Sequence, residues 1–397
     1  MFHLKAQLQG VTDTRLRPQI KTQAVVGSAL VMELAQMGSL NALSQTGGNC
    51  FWKDWITDNV LPSADTMGRV FHLIDVRALR LILKHIYSRL KRNKALRPLF
   101  GDHLFAVIID GHESSGSYLR CCPDCLQREI KTASGIKIQY YHRHVMAVLL
   151  CKDFILPLDL EMQRHGEDEV AVAIRLLERL LLEYPRAFDV VMADGLYARA
   201  PFFKKVVAHG KHAIAVLKDD RRDLLQDAKG LFTQEQPIVL RDGNRTLQRW
   251  DVENLSSWPQ FGNVRVVRSL ETTTRKRQKT GKEEETQSDW MWVTTLPKTL
   301  LGTEAFVMMA HKRWDIENKA FHELVTYWHA DHVYTHTRVA IEAFWLTTLL
   351  AYNLFHAFIN CNLKQVIRTL YTKKHIARAV AAELCCLKKS RFINRSP

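Results

Sequence analysis

Two apolar runs in this chain each stop at an Asp-Gly pair. Residues 104–109 (Leu-Phe-Ala-Val-Ile-Ile) run into Asp110-Gly111, and residues 188–193 (Phe-Asp-Val-Val-Met-Ala) run into Asp194-Gly195. Short, nearly continuous apolar runs of this kind read as strands covered on both faces, which calls for a sheet with helices packed against it. A strand that ends at an acid delivers its carboxylate to the rim of the sheet, and the glycine lets the backbone leave. A third acid, Glu317, lies in Arg313-Trp314-Asp315-Ile316-Glu317, at the start of a helical segment. Each acid alone is a weak signal, since acids after strands commonly cap turns. Together they form a set of hard oxygen donors on a rigid frame, suited to two Mg²⁺ or Mn²⁺ ions flanking a phosphodiester.

The order of the remaining elements agrees with such a frame. Strands are expected at 139–141, 145–150 and 154–158, a helix at 167–184, a strand at 190–193, a helix at 200–209 and a strand at 213–217. That succession suits a mixed sheet with helices on its faces, as in a ribonuclease H-like core. Before it, Leu79, Ile82, Leu83, Ile86 and Leu90 recur at helical spacing. Ser63 caps a further helix, and residues 39–44 either pair with it as a helix-turn-helix or belong to a plain bundle. Between the second and third acids, Val264–Arg268 and Trp290–Val293 alternate like half-buried strands around the polar stretch 275–285. The expected divisions are a helical, DNA-end-binding region 1–100, a first core part 101–218, a β-rich insertion 219–300, a final helical core part 301–360 carrying Glu317, and a basic tail 361–397.

With 397 residues the chain can bury a large core, and its formal net charge of +15 favours an anionic partner, of which nucleic acid is the commonest. The eight cysteines form no secreted-domain framework, no apolar leader opens the sequence, and the stretch 343–359 is broken by Asn353 and His356. These features point to a cytoplasmic chain with no membrane partner. Cys121, Cys122 and Cys125, with His142 and His144 downstream, are either zinc ligands or free loop thiols.

The blocks Val107-Ile108-Ile109-Asp110-Gly111, Met192-Ala193-Asp194-Gly195-Leu196-Tyr197-Ala198-Arg199-Ala200-Pro201-Phe202 and Arg313-Trp314-Asp315-Ile316-Glu317-Asn318 resemble the three acidic motifs of bacterial DDE transposases. The group they most resemble is the insertion-sequence-four-like, cut-and-paste one. The resemblance covers residues 104–359, and its second block is the most specific. It implies a ribonuclease H-like catalytic core with a β insertion, and Asp110, Asp194 and Glu317 as catalytic residues and ligands of two Mg²⁺ or Mn²⁺ ions. It further implies binding of transposon ends, hydrolytic cleavage there, and joining of the freed 3′-hydroxyl to target DNA. Partners would be double-stranded DNA carrying terminal inverted repeats, target DNA and a second copy of the chain, with the protein nucleoid-associated in a bacterium.

The third motif of that family usually carries a tyrosine and a lysine where this chain has Ala310 and Leu324. Lys312 or Lys319 would replace the missing charge. Arg313, one helical turn before Glu317, is either a phosphate clamp or an i,i+4 pair. Trp290 and Trp292 share one face of their strand, either stacking on a flipped DNA base or packing in the core. A catalytically inactive DNA-binding relic or repressor, and a structure-selective nuclease of the same fold, are the alternatives from other functional classes.

Overall fold

The computed structural model describes residues 2–46, 51–100, 103–114, 116–133, 135–218, 223–276 and 282–385. Eleven strands lie among them: β1 (Ala106–Glu113), β2 (Leu126–Thr132), β3 (Gly135–Tyr141), β4 (Arg143–Leu150), β5 (Ile155–Met162), β6 (Val190–Ala193), β7 (His212–Val216), β8 (Ile238–Asp242), β9 (Arg245–Leu255), β10 (Val264–Lys276) and β11 (Glu283–Thr294). Nine of them form one mixed sheet in the order β5-β4-β1-β6-β7-β11-β10-β9-β8. Its first five strands have the order and directions of a ribonuclease H-like core. β4 runs antiparallel to β1 and β5, while β1, β6 and β7 run parallel.

The apolar runs explain why these strands are central. Val107, Ile108, Ile109, Val190 and Val191 are completely buried. Helix Glu169–Glu183 covers one face through Val172, Leu176, Leu177 and Leu180, after Asp168 caps its start by accepting from Ala171 N. The long helix Arg338–Asn362 packs on β5 and on two front helices, Thr22–Leu34 and Val76–Arg92. It contains the apolar stretch 343–359 and is a core helix, buried by its neighbours. No helix among the described residues is long and apolar enough to cross a membrane. Helix Val76–Arg92 buries Leu79, Ile82, Leu83, Ile86 and Leu90, the five positions whose spacing marks it in the sequence.

Several elements differ from the sequence reading. β1 does not stop at Asp110; it continues to Glu113, because β4 keeps pairing with it through Arg143. Only the parallel pairing to β6 ends early, at Ile108↔Met192. Residues 139–141 belong to a separate hairpin, β2–β3, most of whose positions are exposed, with 139–141 themselves half-buried, so that it gives little alternation. The stretch expected to be β-rich opens with helix Asp223–Gln234, and β8–β11 extend the core sheet through β7. Ser39 and Ser63 each cap a helix, Leu40–Gln45 and Ala64–Phe71, but the helix Phe51–Ile56 lies between them in the chain. Residues after Leu363 form helices Gln365–Leu370 and Lys373–Cys385; 386–397, and 277–281 of the polar stretch, lie outside the described residues.

Candidate carboxylate active site

Strand register assembles the first half of this site. Ile108 pairs with Met192 across β1 and β6, so two residues further on Asp110 is level with Asp194, with the same side-chain parity. Neighbouring strands lie about 4.8 Å apart, which brings the two carboxylates side by side. Asp194 follows the last residue of β6, and its side chain accepts from Leu196 N (2.8 Å), turning the chain into a short 3₁₀ turn. Asp110 accepts from Gly111 N (2.9 Å) and is 9% exposed.

Glu317 arrives on a different kind of element. Residues Ile316–Phe321 form a π-helical turn that packs against β1 and β5. Wide turns of this type recur at functional sites because they displace a side chain from the regular helical track. Arg313, 4% exposed, joins the two halves: its Nη1 donates to Asp110 Oδ2 (3.2 Å) and to Glu317 Oε1 (3.0 Å). Its guanidinium also lies 4.1 Å from the centre of the Trp314 ring. The i,i+4 pair expected from the sequence is therefore present, and Arg313 reaches the first carboxylate as well.

Burial pushes the Asp110 carboxyl up to about 7; Arg313 opposes this, and the nearby Asp194 and Glu317 carboxylates reinforce it. Two of the three carboxylates thus share one guanidinium, and the buried one, Asp110, remains short of positive charge. A hard divalent cation would relieve that deficit, and the donor set, all oxygen, is the type that Mg²⁺ and Mn²⁺ take.

One contributor escapes the sequence reading. Glu169 is buried on the far side of β1, where Gly111 leaves it room: a Cβ on Gly111 would stand 2.4 Å from Glu169 Oε2. Glu169 accepts from Tyr197 Oη (2.7 Å), three residues past Asp194, and pairs with Arg143 of β4 (2.5 Å). It therefore links Tyr197, three residues past Asp194, to Arg143 of β4, and packs against Gly111, the residue after Asp110. The signal available in the sequence was Gly111 itself and the tyrosine after Asp194-Gly195. A second overlooked residue is Lys218, exposed just past β7, whose Cβ stands 3.9 Å from where a Cβ on Gly195 would be.

The other sequence candidates are distributed away from the carboxylates. Lys312 and Lys319 both pair with Asp315 (3.6 and 2.9 Å) and line a pocket with residues of the β4–β5 connection, beside the Ala106 end of β1. Trp292 is buried, and Trp290 is stacked parallel to it at 6.2 Å, with Trp314 edge-on to Trp290 at 6.1 Å. Trp290 remains partly exposed, so of the two it is the side chain that solvent reaches. Ala310 and Leu324 are buried in the core. His112 bonds Asp331 (2.8 Å) and stacks on Phe321. Three further acids are engaged in ion pairs elsewhere: Glu113 with Arg128, Glu161 with Arg175 and Arg179, and Glu323 with His356 and Lys373.

Residues 107–354 match the family model described as a transposase DDE domain. A comparison with curated proteins found no match. Among solved structures, the cryo-EM structure of a piggyBac transposase synaptic complex with hairpin DNA aligns with 96% of this chain and 76% of its own, at 9% identity and a TM-score of 0.45.

Proposed function

This chain belongs to the transposase DDE-domain family, and on that premise we propose that it is a cut-and-paste transposase acting at the ends of its own element. In this reading Asp110, Asp194 and Glu317 hold two Mg²⁺ or Mn²⁺ ions. When bound, the ions supply Lewis acidity and an activated oxygen nucleophile at the scissile phosphate. The observation that carries the reading is the convergence itself: a register that levels Asp110 with Asp194, and one arginine that bonds both Asp110 and Glu317.

The chain's own residues then divide the work. Arg313 fixes the directions of Asp110 and Glu317 and offsets part of their repulsion when no cation is present. Glu169, through Tyr197, Arg143 and the space at Gly111, positions the two strand-borne aspartates. Lys218 is suited to a DNA phosphate beside Asp194. Trp290 is the aromatic suited to an unstacked base; Lys312 and Lys319, committed to Asp315, suit DNA running past the site better than the scissile phosphate. Region 1–100 would bind the transposon end, insertion 219–300 would flank the cleaved end, core parts 101–218 and 301–360 would carry the acids, and tail 361–397 would add phosphate contacts without reading sequence. A homodimer on paired ends, of the insertion-sequence-four-like kind, completes the reading.

The test uses labelled duplexes taken from the DNA flanking the native gene, incubated with the full chain and Mg²⁺ or Mn²⁺. Specific nicking followed by joining to a second duplex is expected. Nicking without joining would replace the transposase by a structure-selective nuclease, and binding without cutting would replace it by an inactive relic.

A further inference from the structure

About a dozen residues past Asp110, the chain builds a second cluster with a different chemistry. Cys122 and Cys125 lie in a tight turn before β2, in which Cys122 N donates to Cys125 Sγ (3.1 Å) and Cys125 N to Cys122 O (3.1 Å). The turn thus aims both sulfurs the same way and gives one of them an amide hydrogen bond. His142, between β3 and β4, brings Nε2 to 3.3 Å from Cys122 Sγ and 3.4 Å from Cys125 Sγ. His336, from the segment leading into helix Arg338–Asn362, brings Nε2 to 3.0 Å from Cys125 Sγ. The two sulfurs are 3.4 Å apart and both thiols are free. All four donor atoms lie within 4.8 Å of one another. Cys121 is exposed and outside the cluster, and His144 is buried elsewhere, against Trp345.

We propose that Cys122, Cys125, His142 and His336 form a closed tetrahedral site for one zinc ion, separate from the carboxylates. Zinc–sulfur bonds of about 2.3 Å and zinc–nitrogen bonds of about 2.0–2.1 Å give tetrahedral edges of about 3.3–3.8 Å. Four of the six edges, at 3.0–3.4 Å, fall at and just below that range, and the other two lie within 4.8 Å, so closing on an ion needs only small shifts of the side chains. Two thiolates balance the charge of Zn²⁺, so the complex is neutral and can stay partly buried. Soft sulfur donors select against Mg²⁺, and four protein ligands leave no position for water, so the ion is structural.

Its placement gives it a task. Cys122 and Cys125 follow β1, the strand of Asp110, whereas His336 follows the helix His322–Trp328 that continues from the Glu317 turn. One ion would therefore clip together the segments that leave the first and third acids. Asp124 beside Arg338 (3.6 Å) and His165 bonded to Pro123 O (2.9 Å) hold the same loop from outside.

The experiment measures metal in the full chain, purified without a metal-affinity resin and dialysed against Mg²⁺. About one zinc per chain is expected. Replacement by Co²⁺ should produce thiolate-to-metal charge transfer and tetrahedral ligand-field bands. Cys125→Ser and His336→Ala should each lose the zinc and those bands, while Asp110→Ala should keep both. His336 is only partly buried, so its variant tests the site if Cys125→Ser fails to fold. Absence of zinc from the native chain together with a featureless Co²⁺ spectrum would overturn the site. So would a His336→Ala chain that retains zinc and the native spectrum. Neither readout depends on DNA cutting, so a failed transposition assay leaves this result standing.

Discussion

The carboxylate trio and the cysteine–histidine quartet use the same chain to opposite ends. The trio has hard donors, an internal guanidinium and one member, Glu317, open to solvent at 42% side-chain exposure. The quartet has soft donors, no cation among its four members and no member left over. A site that must release its product keeps donors uncommitted and cations exchangeable; a clip satisfies every donor and keeps its ion. The difference also appears in the scaffold. The register of β1 on β6 levels the trio's two aspartates, whereas the quartet is gathered from three connections, one of them a hydrogen-bonded turn.

The largest effect should come from separating the two functions. Asp110→Ala, Asp194→Ala and Glu317→Ala should each take end cutting below detection in a nicking assay while DNA binding and zinc content stay native. Normal cutting by any one would remove that residue from the trio. Next is Arg313→Met, which leaves Asp110 buried without its cation. Above neutral pH the loss should be about 3 kcal/mol in denaturant unfolding, the low end for breaking a buried ion pair, because Asp110 can take a proton instead. An unchanged midpoint would mean that Arg313 does not hold the trio together. Glu169→Gln acts one step removed from the acids and should reduce cutting about 10–100-fold, with Mn²⁺ affinity reduced in step. If cutting fell while Mn²⁺ affinity stayed native, Glu169 would not be a positioning residue.

The smallest effect is the pH dependence, and there the two clusters should differ in sign. A carboxyl raised to about 7, as Asp110 is, favours the fold fully below its ordinary value of 3.8, and that contribution is lost as pH rises through 7. In Mg²⁺-free buffer the melting temperature should fall over that window, and Asp110→Asn should flatten the fall. The comparison belongs in a Glu33→Gln background, since burial pushes Glu33 up to about 8 and adds a decline of the same sign. The quartet should behave the other way, releasing zinc as pH falls, because protons compete for thiolates and imidazoles.

The sequence revealed the sheet where the physics is local. Apolar runs of strand length specify β1, β6 and their neighbours, and the acids that end them mark the candidate site. It overextended that logic at Asp110, which is mid-strand: the pairing with β4 that carries β1 onward is set by a partner more than thirty residues later. The π-helical turn under Glu317 was not legible, because it preserves the same composition as an α-helix and differs only in which carbonyl each amide finds. Cys122, Cys125 and His142 were close enough in sequence to be grouped, but His144 was the wrong neighbour. His336 arrives from the far side of the fold, and no spacing rule reaches it. Of the β2–β3 hairpin only residues 139–141 are legible, because most of its positions are exposed and give little alternation. The helix Asp223–Gln234, by contrast, has a buried face, Leu224, Leu225, Ala228 and Phe232, that the reading of a β-rich stretch passed over.

The join between β7 and β11 has a consequence for anyone trimming this protein. β11 pairs with β7 at Trp292↔Val216, Val293↔Ala215 and Thr294↔Ile214, and thereby closes the open flank of the five-stranded core. Excising the strands beyond β7 would expose a short apolar edge with its amides and carbonyls unpaired, a template for any other chain in the same state. A minimal catalytic fragment made by that cut should self-associate into insoluble material, however intact its three acids remain.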